Sequence, residues 1–272
     1  MSARGLKNAI VGSLLLGASL SIAGSAIWVT LKNQEPPRDE QSLCSSTVEN
    51  GQTIVIVDKT DPWNDSQADR LEQQIWWLVS VKMHVEERLT IFAFSDQLVP
   101  GFPPLFSFCK PPSGEGANEI TKSRDYYNRQ YKKQFLEPLK AVIEDIKRAE
   151  EKDCSPIMEV LFDILSRREI RDHKGSTRIV LISDLAENSS LYSFYRQTKC
   201  RKWTGLGDPR QDSKEIVSFA EKRRSEINLK DTSAIVFHLS SEKNPANIEN
   251  DTKVFWTGFF RYVTIPVEWE RL

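Results

Sequence analysis

The chain has 272 residues, with 37 Lys and Arg against 38 Asp and Glu, a formal net charge of −1 and four cysteines. A balance this close to zero leaves no basic footprint of the kind nucleic-acid-binding chains carry, so no nucleic-acid partner is expected. The charge is unevenly spread, because residues 9–31 (AIVGSLLLGASLSIAGSAIWVTL) contain none.

About 20 apolar residues span a bilayer core, so residues 9–31 read as a transmembrane anchor behind a short tail, residues 1–8. The competing reading is a cleaved signal peptide, for which Ala23-Gly24-Ser25-Ala26 supplies small residues, although such segments usually have an apolar core of about 7–15 residues. Arg4 and Lys7 precede the segment while Lys32 and Arg38 follow it, so basic residues alone do not orient it. The tail carries no acid, whereas Glu35, Asp39 and Glu40 lie beyond the segment. An even cysteine number suits an oxidising compartment, and the expected arrangement is tail inside, domain outside. Residues 32–50, including the proline-containing NQEPPRDEQSL, read as a linker. Residues 51–272 suit one large α/β domain.

Within the domain, 53–57 is an apolar run of strand length, after which Leu71, Ile75, Leu78 and Val79 fall at helical spacing over 66–83. Residues 89–94 (LTIFAF) predict a second strand and 104–109 (PLFSFC) an edge strand or hairpin partner. A helix is predicted over 125–150, with Tyr127, Tyr131, Phe135, Leu139, Val142, Ile143 and Ile146 as its buried stripe. Another begins at Ser155-Pro156, where serine suits the cap and proline the first turn. Residues 177–183 (TRIVLIS) form the strongest strand, ending at Asp184. Beyond it, 186–211 is polar and irregular with a short helix at 191–197, and Asp212 with Glu215 resembles a capping box opening a helix to about 228. Residues 233–239 predict a strand, 251–262 an aromatic helix and 263–267 a last strand. Strands alternating with helices imply a doubly wound, mostly parallel Rossmann-like sheet covered on both faces.

Ligands of such sheets bind at the carboxyl ends of strands, where strand order reverses. Two strands expected at the centre end on Asp58 with Thr60 and on Ser183 with Asp184, and Ser155 opens a helix that starts at the same edge. Two carboxylates brought together repel unless a proton or cation intervenes. Hydroxyls and carboxylates with room for water suit Mg²⁺, so Asp58, Thr60, Ser155 and Asp184 are the candidate metal ligands. The alternative is that Asp58, Thr60 and Asp61 make an Asx turn and cap the following helix.

This order of elements resembles the von Willebrand factor A domain and its metal-ion-dependent adhesion site, over roughly residues 52–267. Asp58 matches the first motif's aspartate and Thr60 its first hydroxyl, while Pro62 stands where the second serine would be. Ser155 falls at the place of the family's loop threonine and Asp184 at that of its later aspartate, with Leu185 replacing the usual glycine. The DKTDP turn, the SPI start of the middle helix and SDLAENSS also resemble a bacterial membrane-anchored group of this fold. The resemblance implies the α/β fold with one antiparallel edge strand, a bound Mg²⁺ completed by a partner's carboxylate, and a role in protein interaction. It also implies a single-pass inner-membrane protein with its C-terminal domain on the periplasmic side.

Two further functions compete with that one. An aspartate after the first strand, with a second aspartate and Mg²⁺, is also how phosphotransfer hydrolases are arranged. Those of the haloacid dehalogenase type want an aspartate where this chain has Thr60, and no lysine heads a suitable helix. A metal-free scaffold is the other. Cys44, Cys109, Cys154 and Cys200 allow three complete pairings. The expected architecture puts Cys44 and Cys109 at the lower edge of the sheet and Cys154 and Cys200 at the upper one, which favours 44 with 109 and 154 with 200 over free thiols. His84, His173 and His238 show no cluster spacing, and no P-loop, GxGxxG or GxSxG is present.

Overall fold

The computed structural model describes residues 37–47, 50–96, 99–114, 124–148, 151–195, 199–200, 220–240 and 246–271, with Ser21, Gly24, Ser25 and Trp28. The 9–31 segment therefore lies almost wholly outside the described residues, as does the expected capping box at Asp212 and Glu215. No helix among the described residues is long and apolar enough to cross a membrane.

Six strands form one sheet: β1 (Gln52–Asp58), β2 (Arg88–Phe94), β3 (Phe106–Cys109), β4 (Thr177–Ser183), β5 (Thr232–His238) and β6 (Val267–Arg271). Their order is β3-β2-β1-β4-β5-β6. All neighbours are parallel except β2 with β3. The α/β class and the antiparallel edge strand expected from the sequence are thus present. Each central strand is buried on both faces, which is why it reads as a continuous apolar run. Ile54, Ile56, Ile179, Leu181 and Val236 enter one core, while Val55, Val57, Val180, Ile182 and Phe237 enter the other.

The second core is covered by α1 (Asp65–Trp77) and by the rod formed of α2 (Arg124–Tyr131) and α3 (Glu137–Ile146). Helix α1 opens with a capping box: Asn64 accepts from the Gln67 amide at 2.9 Å, and the Gln67 side chain accepts from the Asn64 amide at 3.0 Å. It ends in a π-helical turn, Leu78–Lys82, and Lys110 Nζ donates to the carbonyl of Val79 within that turn and to that of Met83 just beyond it. A second π turn, Lys132–Leu136, joins α2 to α3 just ahead of Pro138. A proline ring crowds the carbonyl four residues before it and brings no amide, so the wider turn lets one rod carry the predicted stripe past it.

The first core is covered by α4 (Ile157–Ser166) and α6 (Ala246–Tyr262), with the short α5 (Arg168–Arg171) between α4 and β4. Helix α6 begins earlier than expected, and the last strand lies at Val267–Arg271, not at 263–267. Residues Val263 and Ile265 alternate as in a strand, yet they close α6: the amides of Val263 and Ile265 reach Phe259 O and Phe260 O, with Thr264 at φ 61° between them. Residues 191–195 are likewise not helical. Ser189 and Ser193 hydroxyls accept the amides of Leu191 and Tyr195, a local capture that competes with helix formation.

Both expected disulfides are formed, Cys44–Cys109 at the lower edge and Cys154–Cys200 at the upper. The first staples residues 37–47, expected to be part of a linker, onto the domain. There Leu43 is buried, Cys109 N donates to Ser42 O at 2.8 Å, and Arg38 pairs with Glu86.

Candidate functional site

Strand order reverses between β1 and β4, and the pairing of Val57 with Ile182 brings Asp58 and Ser183 side by side at the ends of those strands. Asp58 is buried there. Its Oδ1 accepts the Thr60 amide at 3.0 Å and the Thr60 hydroxyl at 2.6 Å. Its Oδ2 accepts Ser155 Oγ at 2.9 Å and Ser183 Oγ at 2.8 Å. A carboxylate has about four lone-pair positions, and the protein fills all of them. Burial pushes the Asp58 pKa up, while the bonds from Thr60, Ser183 and Ser155 pull against it.

The Asx turn is therefore real, but it does not cap α1, a task that falls to Asn64. Nor does Ser155 cap α4, as its position had suggested. No side chain of the capping residue, Pro156, bonds the helix, and the Ser155 hydroxyl goes to Asp58 instead. The main chain of Ser155 is fixed by a two-bond bridge to Asn188, each bond 2.9 Å long. Asn188 Nδ2 also donates to Asp153 O at 2.6 Å.

Asp184 follows Ser183 and is buried, its Oδ1 accepting the Ala186 amide at 3.0 Å. Its carbonyl lies 3.2 Å from His238 Nε2. Leu185 adopts φ 61° with a fully buried side chain, a conformation that costs an L-residue about 1–2 kcal/mol. Trp256 Nε1 holds its carbonyl at 3.0 Å.

Sequence spacing gave Asp58, Thr60 and Ser155, which hydrogen bonds now join directly. It placed Ser183 at the strand end without assigning it a role, and it missed Glu187. That carboxyl is fully buried, caps α4 by accepting the Met158 amide on Oε2 at 2.8 Å, and has no hydrogen-bond partner on Oε1 among the described residues. Desolvation pushes its pKa up to about 8, against the opposing pull of Ser189 and the Met158 amide. Nothing in the spacing of SDLAENSS marks this acid as buried. A cleft of about 520 Å³ opens above, lined by Thr60, Asp61, Ser155, Asn188 and Tyr195, with Cys154 of the upper disulfide in its wall.

No family model matches the chain. No curated protein matches it. Among solved structures, it is similar to an aerotolerance-related membrane protein from Bacteroides fragilis NCTC 9343, crystallised with multiple mutations to serines. The two are 10% identical, the match covers 82% of this chain and 92% of that one, and the TM-score is 0.35. A similarity at that level carries no argument, so the chemistry of the site rests on its own residues.

Four accepted hydrogen bonds draw electron density from the Asp58 carboxylate and weaken it as a nucleophile toward an ester. The hydroxyls of Thr60 and Ser155 spend their protons on Asp58, which leaves their oxygen lone pairs as ligand donors. Hydroxyl and carboxylate oxygens are the donor type that Mg²⁺ takes, and no group of three or more acids, histidines or cysteines placed to hold a metal is found among the described residues. Pro62 brings no side-chain oxygen.

Proposed function

We propose that the chain is a membrane-anchored, exported von Willebrand factor A-like module that binds a partner protein at the carboxyl edge of its sheet. The observation that carries this reading is the convergence of Thr60, Ser155 and Ser183 on Asp58 at the strand-order reversal, beneath an open cleft. Thr60, Ser155 and Asp184 would hold Mg²⁺, with Asp58 fixing the two hydroxyls. When bound, the ion would supply an open coordination position for a carboxylate of the partner. Residues 9–31 would anchor the chain in the inner membrane, and the pairing of all four cysteines supports export of the domain to an oxidising compartment.

The saturation of Asp58 by protein donors alone supports a second reading, a metal-free interaction scaffold. A melting curve of the full chain in nonionic detergent with Mg²⁺, Mn²⁺ or EDTA separates the two. A ligand that binds only the folded state at a hundred times its Kd adds about 2.7 kcal/mol, and Thr60→Ala with Ser155→Ala should abolish the resulting upward shift. No shift with either ion would remove the metal and leave the scaffold.

A further inference from the structure

A second cleft, of about 310 Å³, opens at the lower edge of the sheet beside the Cys44–Cys109 bond. Arg88, the first residue of β2, is half-buried in its wall. A guanidinium carries five N–H donors, yet the side-chain bond described for Arg88 goes to Cys44 Sγ at 3.5 Å, and sulfur is a weak acceptor. Of the neighbouring carboxylates, Glu86 also lines the cleft; it pairs with Arg38 through Oε1, while its buried Oε2 has no hydrogen-bond partner among the described residues. Arg178 takes Glu87, and Asp39 is turned onto Ser42 and the Gln41 amide, with the Arg88 charge a small further pull on its pKa. Around Arg88 the cleft presents the hydroxyls of Ser45 and Thr47, 3.3 Å apart, and His173, whose Nε2 bonds Asn50 O at 2.9 Å.

A planar guanidinium fork with spare donors matches the paired oxygens of an oxyanion. We propose that this cleft binds a phosphate-type oxyanion, with Arg88 as its cation and the Ser45 and Thr47 hydroxyls at its rim. Chain length bears on the anion's source. Residues 32–36 separate the end of the segment read as an anchor from Pro37, whose carbonyl accepts the Ser46 amide at 3.2 Å. An extended chain covers at most about 3.5 Å per residue, so the strip walling the cleft stays within about 20 Å of the anchor's end. A phospholipid headgroup is therefore one source, and free phosphate the other. The headgroup source rests on the anchor reading; the oxyanion site does not.

The test is calorimetric titration of the full chain, in nonionic detergent, with inorganic phosphate and with dihexanoyl phosphatidylglycerol. Saturable binding that falls at least tenfold in Arg88→Gln is expected. Tighter binding of the lipid assigns the site to a headgroup, and phosphate binding at least as tight assigns it to the free anion. Arg88→Lys keeps the charge but loses the fork, and a threefold or greater weakening there carries the test should Arg88→Gln fail to fold. Absence of saturable binding of both probes, or wild-type affinity in a folded Arg88→Gln, overturns the site. Release of the chain from membranes by alkaline carbonate would overturn the anchor alone, leaving the phosphate titration to be read independently.

Discussion

Asp58→Ala removes the one acceptor that four donors share. Three of those donors, the hydroxyls of Thr60, Ser155 and Ser183, belong to buried residues, and the fourth is the Thr60 amide. Leaving a buried donor unpaired costs about 1–3 kcal/mol, so the gross loss is large. Two effects reduce it: hydroxyls can rotate toward other acceptors, and a desolvated carboxylate, one whose burial already outweighs its bonds in setting the pKa, is no longer buried. A net loss of about 3–5 kcal/mol is expected, the range for breaking a buried polar network. Asp58→Asn keeps one oxygen for the Thr60 pair and turns an amide toward two hydroxyls that can rotate to accept, so it should cost roughly half as much. Urea unfolding of the oxidised full chain in detergent, at pH 7 without added metal, measures both. Values within about 0.5 kcal/mol of wild type for both variants, the range of ordinary surface substitutions, would refute the assignment of Asp58 as the hub of the site.

Glu187 sets a pH dependence of definite sign. Its pKa is raised from 4.5 to about 8 on folding, so the native state holds the extra proton between those values, and stability falls as pH rises through that window by about 1.4 kcal/mol per unit. Glu187→Gln should flatten the slope between pH 5 and 8 and exceed wild type in stability at pH 7.5; parallel slopes would show that the carboxyl ionises freely when folded. Leu185→Gly relieves the left-handed backbone but empties a core position, and the loss of packing should win by about 2 kcal/mol, so a stabilised variant would contradict the burial of that side chain. Replacing Cys154 and Cys200 together by serine opens a link across 46 residues and should cost about 3–4 kcal/mol in urea unfolding. Asn64→Ala should cost about 1 kcal/mol through loss of the α1 cap, with no effect on phosphate binding at the lower cleft.

The elements most legible in the sequence are those with a fully buried face. Residues 53–57, 89–94, 177–183 and 233–239 read as strands because both of their faces enter a core, and Phe135, Leu139, Ile143 and Ile146 read as a helix because one face does, while Tyr127 and Tyr131 at the head of that stripe stay half-buried. Elements that depend on local hydrogen-bond competition were misplaced. Val263 and Ile265 alternate like a strand yet close a helix, and Ser189 and Ser193 bind amides that a helix at 191–197 would have needed.

The same division holds for the site. The sequence by itself determined that Asp58 and Asp184 end buried strands and that Ser155 opens a helix at their edge, because residue type and period suffice for that. Only the tertiary structure decided that Ser155 and Ser183 donate to Asp58, that Asn64 and Glu187 do the capping, and that residues 37–47 belong to the domain. Those outcomes depend on which donors and acceptors meet when β1, β2, β3 and β4 come together. A hydroxyl or carboxyl spends its bonds on whatever neighbour the fold supplies, and a linear sequence does not list its neighbours in space.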